Sequence, residues 1–277
     1  MRRAAPQFLK FCDFNIPRSG GEAGDPMQEQ IFNLNIDNMT LDEAAKSVQA
    51  LIIRKEPAYV VEVNTDVALK AENDPELLSA ILGSALTFAD GKPIVWISRW
   101  YRRPLKERVA GSDLIPKMFK LAVRNNWSVF LLGGADGVAE EAARRMKETY
   151  SGIRIAGTYA PPFGFEKDEK ELTRINHMIC DSDADLVIAC FGCPKQEKWA
   201  ADNYKKCGNA VILCGGGTID FLAGRVQRCP KWMADHGLEW FYRFTREPKR
   251  LFRRYFIDDT KILRMVWKYR SQRRKAQ

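Results

Sequence analysis

Asp90 stands in the triplet Ala89-Asp90-Gly91, directly after the short apolar run Leu86–Phe88. A carboxylate that a strand delivers to a cleft can act as a general base, removing a proton from a hydroxyl as its oxygen attacks. The plainer reading is an Asp-Gly turn. Two glycine-rich stretches could receive phosphate. Gly133-Gly134-Ala-Asp-Gly137 follows the apolar run Ser128–Leu132, and Gly215-Gly216-Gly217-Thr218 follows Ala210–Cys214. Glycine lets the backbone approach a ligand, and a following helix offers free N–H groups and a positive dipole end. Neither stretch has the G-x-G-x-x-G spacing of a dinucleotide loop, so each alone is a ligand loop or a tight strand-to-helix turn. Two of them on neighbouring strands favour a phosphate-bearing ligand.

After a third apolar run, Leu186–Cys190, comes Gly192-Cys193-Pro194-Lys195-Gln196-Glu197. Gln196 and Glu197 are placed to hydrogen-bond sugar hydroxyls, or simply to open a helix with a dipole-favoured acid. Arg108 precedes a helix and could meet phosphate or solvent. Cys190 and Cys193 form one C-x-x-C with no second pair, and His177 and His236 are too far apart to complete a metal site. The D-x-D spacing of Asp181-Ser-Asp183-Ala-Asp185 precedes a strand, so it reads as a helix-to-strand turn rather than a cation site. No G-x-S-x-G elbow is present, which argues against a serine hydrolase.

The elements that must hold these residues alternate. Ile31–Ile36 has the two-residue period of a strand. Thr40-Leu-Asp-Glu43 is a capping box that opens a helix to about Arg54. Ala58–Val63 is a β-branched strand, Asp74-Pro75-Glu76 starts a helix, and 112–125 is helical. Four apolar runs follow, near 128–132, 153–158, 186–190 and 210–214, separated by helical patterns at 136–150, 167–180 and 194–206. Strands apolar on both faces, alternating with helices, predict an α/β protein: a mostly parallel, Rossmann-like sheet with helices on both faces. Residues 1–28 read as a partly disordered leader, 29–236 as the α/β core and 237–277 as a basic helical appendage.

The charge is unevenly placed. The 277-residue chain has 44 Lys and Arg against 35 Asp and Glu, for a net charge of +9. Arg243–Gln277 holds 13 of the basic residues and 3 of the acidic ones, leaving 31 against 32 elsewhere. A near-neutral body with a basic tail is not a histone-like protein. In the tail, Leu251, Phe252, Tyr255, Phe256, Ile262, Leu263, Val266 and Trp267 recur at helical spacing among Arg and Lys. That profile predicts a helix lying on an anionic membrane surface, where each basic residue contributes about 1 kcal/mol. No apolar run is long enough to span a bilayer, and Arg2 and Arg3 are not followed by a secretory apolar segment. Seven scattered cysteines, an odd number, suit a reducing compartment.

Several motifs together resemble the WecG/TagA/CpsF glycosyltransferases, glycosyltransferase family 26. They are Asn64-x-Asp66, Ala89-Asp90-Gly91, Arg108-Val-x-Gly-x-Asp113, Leu132-Gly-Gly-x-x-Gly-Val138 and Gly192-x-Pro-x-Gln-Glu197. The run Asp220-Phe-x-Ala-Gly224 through Pro230-x-Trp232, Gly237-Leu-Glu-Trp240, Arg243, Glu247-Pro248 and Arg250 completes them. The resemblance spans roughly residues 31–256. It implies an inverting transferase that needs no metal or other cofactor. Such an enzyme passes a sugar of the N-acetylmannosamine type, or glucose, from a UDP-sugar to an undecaprenyl-diphosphate-linked sugar at the cytoplasmic membrane face. It also implies roles. Asp90 resembles the catalytic base; Asn64, Asp66, Arg108, Gln196 and Glu197 resemble substrate-binding residues. Gly133, Gly134, Gly137, Gly215 and Gly216 fall to the nucleotide, with Arg243, Arg250 and Arg253 closing over its diphosphate. The loop Ala160-Pro-Pro-Phe-Gly164 looks more like exopolysaccharide-type members than teichoic-acid ones.

Other classes fit less of the chain. A nucleic-acid-binding protein would use the basic aromatic tail but leave Asp90 and the glycine loops without a role, so no nucleic-acid partner is expected. A nicotinamide oxidoreductase lacks its glycine fingerprint. A homo-oligomer is left open.

Overall fold

The computed structural model describes residues 28–230, 232–233, 236–246, 248–253 and 259–275. The leader, except for Gln28, lies outside them. Six strands form one parallel sheet: β3 (Ala58–Val63), β4 (Leu86–Ala89), β5 (Ser128–Gly133), β6 (Arg154–Tyr159), β7 (Leu186–Cys190) and β8 (Val211–Cys214). Their order across the sheet is β4-β3-β8-β7-β5-β6. Helices cover both faces, as the alternation of apolar runs requires. On one face α2 (Thr65–Ala71), α3 (Pro75–Leu82), α7 (Glu169–Asp181) and α8 (Lys195–Asn203) pack on Val61, Val63, Val187 and Ile212. On the other, α1 (Leu41–Arg54), α5 (Gly111–Asn125), α6 (Val138–Thr149) and α9 (Thr218–Leu222) pack on Val60, Leu131, Ile188 and Leu213. The predicted α/β class holds.

Local signals acted as chemistry dictates. Thr40 Oγ1 accepts from the Glu43 N–H at 3.2 Å while Glu43 Oε2 accepts from the Thr40 N–H at 2.8 Å, the reciprocal capping box that starts α1. The Asp185 end of the D-x-D stretch is structural. Its Oδ2 accepts from the Ser128 N–H at 2.8 Å and from the Ser128 hydroxyl at 3.1 Å, tying β7 to β5 at the sheet edge remote from the glycine loops.

The strand expected over Ile31–Ile36 is instead a hairpin, β1 (Gln28–Ile31) and β2 (Leu34–Asp37), separate from the main sheet. Phe32 breaks the alternation. It takes a left-handed φ of 60° at the turn, yet is buried with its ring edge-on to Tyr101 at 5.9 Å and to Tyr269 at 5.7 Å. Asp37 joins the hairpin to the sheet: its carboxylate, buried, accepts from the Thr87 N–H at 2.7 Å and from the Gln28 amide at 3.0 Å.

The C-terminal segment is helical, with α10 (Glu239–Arg246), α11 (Pro248–Arg253) and α12 (Ile262–Lys275). α12 is no free amphipathic helix. Ile262, Met265 and Val266 are buried in the core cluster beneath α2, and Tyr269 turns inward to donate to Glu72 Oε2 at 2.8 Å. Of the residues read as membrane-facing, Phe252, Leu263 and Trp267 are exposed, Ile262 and Val266 are buried, and Tyr255 and Phe256 lie outside the described residues. No helix among the described residues is long and apolar enough to cross a membrane.

Removing the Asp37 carboxylate leaves a buried Thr87 N–H without its acceptor. Asp37→Ala should lower the unfolding free energy by about 1–3 kcal/mol in urea titrations, and an unchanged midpoint would contradict this tie.

Candidate functional site

The chain leaves β3 and β8, adjacent in the sheet, toward opposite faces, α2 on one and α9 on the other. Such a divergence opens a crevice at the carboxyl ends of the strands. A cavity of about 170 Å³ lies there, lined by residues that follow four neighbouring strands, β4, β3, β8 and β7. Asp90 comes from β4, Glu62, Asn64 and Asp66 from β3, Gly215 to Thr218 from β8, and Gly192, Cys193, Gln196 and Glu197 from the β7 side. The N-terminus of α5 adds Gly111 and Ser112.

The β3 loop is fixed by its own caps. Asn64 Oδ1 accepts from the Val67 N–H at 3.1 Å, so its carbonyl oxygen holds the start of α2. Asp66 pairs with Lys70 at 2.9 Å, and the same ammonium donates to the Cys193 carbonyl at 3.0 Å, binding the β3 and β7 loops together.

Gln196 makes the second link. Its buried Oε1 accepts from the Gly192 N–H at 3.2 Å and from the Gly216 N–H at 3.1 Å, and its Nε2 donates to Glu197 Oε1 at 2.9 Å. One amide thus clamps the β7 and β8 loops. Glu197 is fully buried, and its Oε2 has no hydrogen-bond partner. Burial holds this carboxyl above the usual carboxylate value, against the stabilising Gln196 bond. The protonated form that this burial favours can donate as well as accept.

Glu62 is the pocket residue that the sequence did not reveal. It sits inside the β-branched run Ala58–Val63, where a single acid reads as a solvent-facing strand position. The structure closes that position with the first turn of α5: a side chain at Gly111 would collide with the Glu62 carboxylate, which takes a hydrogen bond from the Gly111 backbone. Enclosure first, then the charge of Asp90, raise the Glu62 carboxyl well above its ordinary value. The signal that could have found it is the acid two residues before Asn64, on the last turn of a strand ending at the crevice.

The two glycine stretches part company. Gly133 ends β5 and Gly134 and Gly137 follow it, one strand beyond the crevice, and none of them lines it. A side chain at Gly133 would collide with the Cys190 carbonyl, and one at Gly134 would press on Val138 and Ile219. Close packing of β5, β7 and α9 accounts for both. Gly216, at a φ of 55°, is different: a Cβ there would meet nothing within 4 Å, so its backbone lies open to the cavity. Arg108 is also off the lining. It pairs with Asp113 at 2.6 Å, and Asp113 bridges onward to Arg228. The Val109 N–H to Ala89 carbonyl bond of 2.9 Å still keeps this stretch beside the end of β4. Arg243 lies on α10, and Arg250 and Arg253 on α11; their side chains fall outside the described residues. Cys190 and Cys193 are free thiols, and among the described residues no group of three or more His, Cys, Asp or Glu side chains has the arrangement to hold a metal ion.

The family model described as glycosyl transferase WecG/TagA/CpsF family matches residues 29–276. The chain belongs to this family. It is a glycosyltransferase, as the motifs from Asn64 to Arg250 implied. Two relatives carry the name N-acetylglucosaminyldiphosphoundecaprenol N-acetyl-beta-D-mannosaminyltransferase. One, from Bacillus spizizenii, is 31% identical over 193 residues, covering 70% of this chain and 73% of that protein. The other, from Bacillus subtilis, is 29% identical over 223 residues, covering 80% and 85%. In a glycosyltransferase, carboxyls at the end of one crevice can divide the labour of holding hydroxyls and accepting a proton.

The Glu62 environment has a consequence for stability. Its raised carboxyl binds a proton more tightly in the folded than in the unfolded chain, so the stability it supplies at low pH is lost as pH rises above about 4.3 toward the raised value. Glu62→Gln is neutral at every pH. Its unfolding free energy should gain on the wild type progressively as pH rises above about 4.3 in urea titrations. Parallel curves would mean that Glu62 ionises normally in the fold.

Proposed function

We propose that this glycosyltransferase is inverting and metal-independent, and moves a sugar of the N-acetylmannosamine type, or glucose, from a UDP-sugar to an undecaprenyl-diphosphate-linked sugar. The transfer would take place at the cytoplasmic face of the membrane, in the synthesis of a cell-surface polysaccharide. The relatives' names support the lipid-diphosphate acceptor and the N-acetylmannosamine-type sugar. The single observation that carries the chemistry is the position of Asp90, delivered by β4 into a crevice whose other walls come from β3, β7 and β8.

The reaction follows from that position. The acceptor hydroxyl lies against Asp90, whose carboxylate takes the proton as the oxygen attacks the anomeric carbon from the face opposite UDP. One C–O bond forms, the bond to the UDP oxygen breaks, and the proton rests on Asp90. UDP departs with the electron pair. The open backbone around Gly216 and the start of α9 would meet the nucleotide side. Arg243, Arg250 and Arg253 would close over the diphosphate and stabilise its growing charge. Asn64, Asp66, Arg108 and Glu197 would orient the two sugars, and Gln196 holds the loops that carry them.

A panel of UDP-sugars offered with undecaprenyl-type diphosphate sugar acceptors, read as UDP release, tests the reading. One N-acetylmannosamine-type or glucose donor should turn over with EDTA present, giving a product of inverted anomeric configuration by NMR. Retention of configuration, or activity that EDTA abolishes, would overturn the corresponding part. Arg250→Ala and Arg253→Ala should raise the donor KM about tenfold or more, as expected for the loss of a charge-assisted contact worth about 1.5–3 kcal/mol. Point substitutions are the cleaner probe, because a truncation at Phe241 would also uncover the core surface now covered by Ile262, Met265 and Val266.

A further inference from the structure

Three exposed tryptophans, Trp96, Trp100 and Trp267, fall on two adjoining helices. α4 (Lys92–Trp100) begins two residues after Asp90 and buries Ile94, Val95 and Ser98 against the body. Its outer side carries Trp96, 52% exposed, and Trp100, 43% exposed, one helical turn apart. α12 docks beside it: Tyr101, which ends α4, donates to the Val266 carbonyl at 2.9 Å, and the Trp100 and Trp267 rings meet edge-on at 5.8 Å. The Arg270 guanidinium lies over both, 4.2 Å from the Trp100 ring and 5.8 Å from that of Trp267. Trp267 is 63% exposed and Leu263, one turn earlier, 61%. Two helices far apart in sequence thus present one continuous aromatic ridge.

Charge says what the ridge faces. The stretch 92–103 contains four Lys and Arg and no Asp or Glu, and 262–275 contains six and none. Arg99, Arg102 and Arg264 are exposed along it. Tryptophan with interleaved arginine suits the headgroup layer of a bilayer, where the ring takes the apolar boundary and the guanidinium the phosphates. Glu29 and Glu72 take up Arg103 and Lys268, and the remaining excess of Lys and Arg would set a second copy of this chain against itself.

We propose that α4 and α12 together form the membrane-docking face, with Trp96, Trp100, Leu263 and Trp267 entering the headgroup layer of an anionic phospholipid bilayer. This rests on the lipid-linked acceptor proposed above and moves the contact from the basic tail alone to the catalytic body. The helical rise of about 1.5 Å per residue puts Trp96 about 6 Å and Trp100 about 12 Å along α4 from its start beside Asp90. Docking through this face holds the crevice within reach of a sugar diphosphate that projects from the bilayer.

The test uses the full chain and vesicles of phosphatidylcholine with or without phosphatidylglycerol, in flotation and without substrate. Wild type should float with the phosphatidylglycerol vesicles alone, and its tryptophan emission should shift to the blue. The double variant Trp96→Gln/Trp100→Gln should bind about tenfold more weakly or worse, while turning over a short-chain, water-soluble acceptor at the wild-type rate. That rate shows the variant is folded, and its turnover of long-chain acceptor in vesicles should fall with binding. Unchanged flotation of the variant would overturn the proposal in favour of the tail alone. Equal binding to vesicles lacking phosphatidylglycerol would overturn the charge argument. Loss of a wild-type dimer in sedimentation, with no vesicle binding, would give the ridge to a second copy. A wild type that floats but turns over no acceptor would count against the proposed reaction and leave the docking face standing.

Discussion

Everything at the crevice depends on the enclosure of several carboxyl groups where β3 and β8 part. Glu62, Asp66, Asp90 and Glu197 all reach the same cavity, and like charges in a poorly solvated space repel strongly. The fold relieves that repulsion locally. Lys70 neutralises Asp66, the first N–H of α5 serves Glu62, and the Gln196 amide serves Glu197. Burial then favours the protonated forms of Glu62 and Glu197. Acids with different environments in one pocket can take different roles. The crevice thus brings together carboxyls whose surroundings differ.

The scaffold explains why this arrangement is stable in shape. Gln196 ties the β7 loop to the β8 loop, Lys70 ties α2 to the β7 loop, and the Val109 N–H ties the approach to α5 back to the end of β4. These links join the loops directly, so the walls are held before any ligand arrives. Preorganised dipoles of this kind are what an enzyme needs where charge develops in the transition state. Gly133 and Gly134 serve the same end from behind, letting β5, β7 and α9 pack closely.

Much of this architecture is legible in the amino-acid order. The apolar runs of β5, β7 and β8, the capping box of α1 and the position of Asp90 after β4 are local signals, and local chemistry decides them. What escaped depends on contacts between distant residues. Nothing around Phe32 says that an aromatic ring will be buried at the tip of a turn; Tyr101 and Tyr269 hold it there. Nothing around Glu62 says that a helix start fifty residues later will close over it. The helical periodicity of 262–275 is real, but periodicity does not say which partner takes the apolar side, and the body claims Ile262, Met265 and Val266. The two glycine stretches look alike in sequence and differ because strand order, set by the whole sheet, puts one on the crevice and the other a strand away.

The central claim is that Asp90 takes the acceptor proton. The most direct measurement is single-turnover transfer by Asp90→Asn with the wild type's donor and acceptor bound, alongside donor affinity by calorimetry. Donor affinity should stay close to wild type and transfer should slow by about 10²–10⁴-fold, the usual worth of a general base. Transfer within a few-fold of wild type would contradict that role for Asp90.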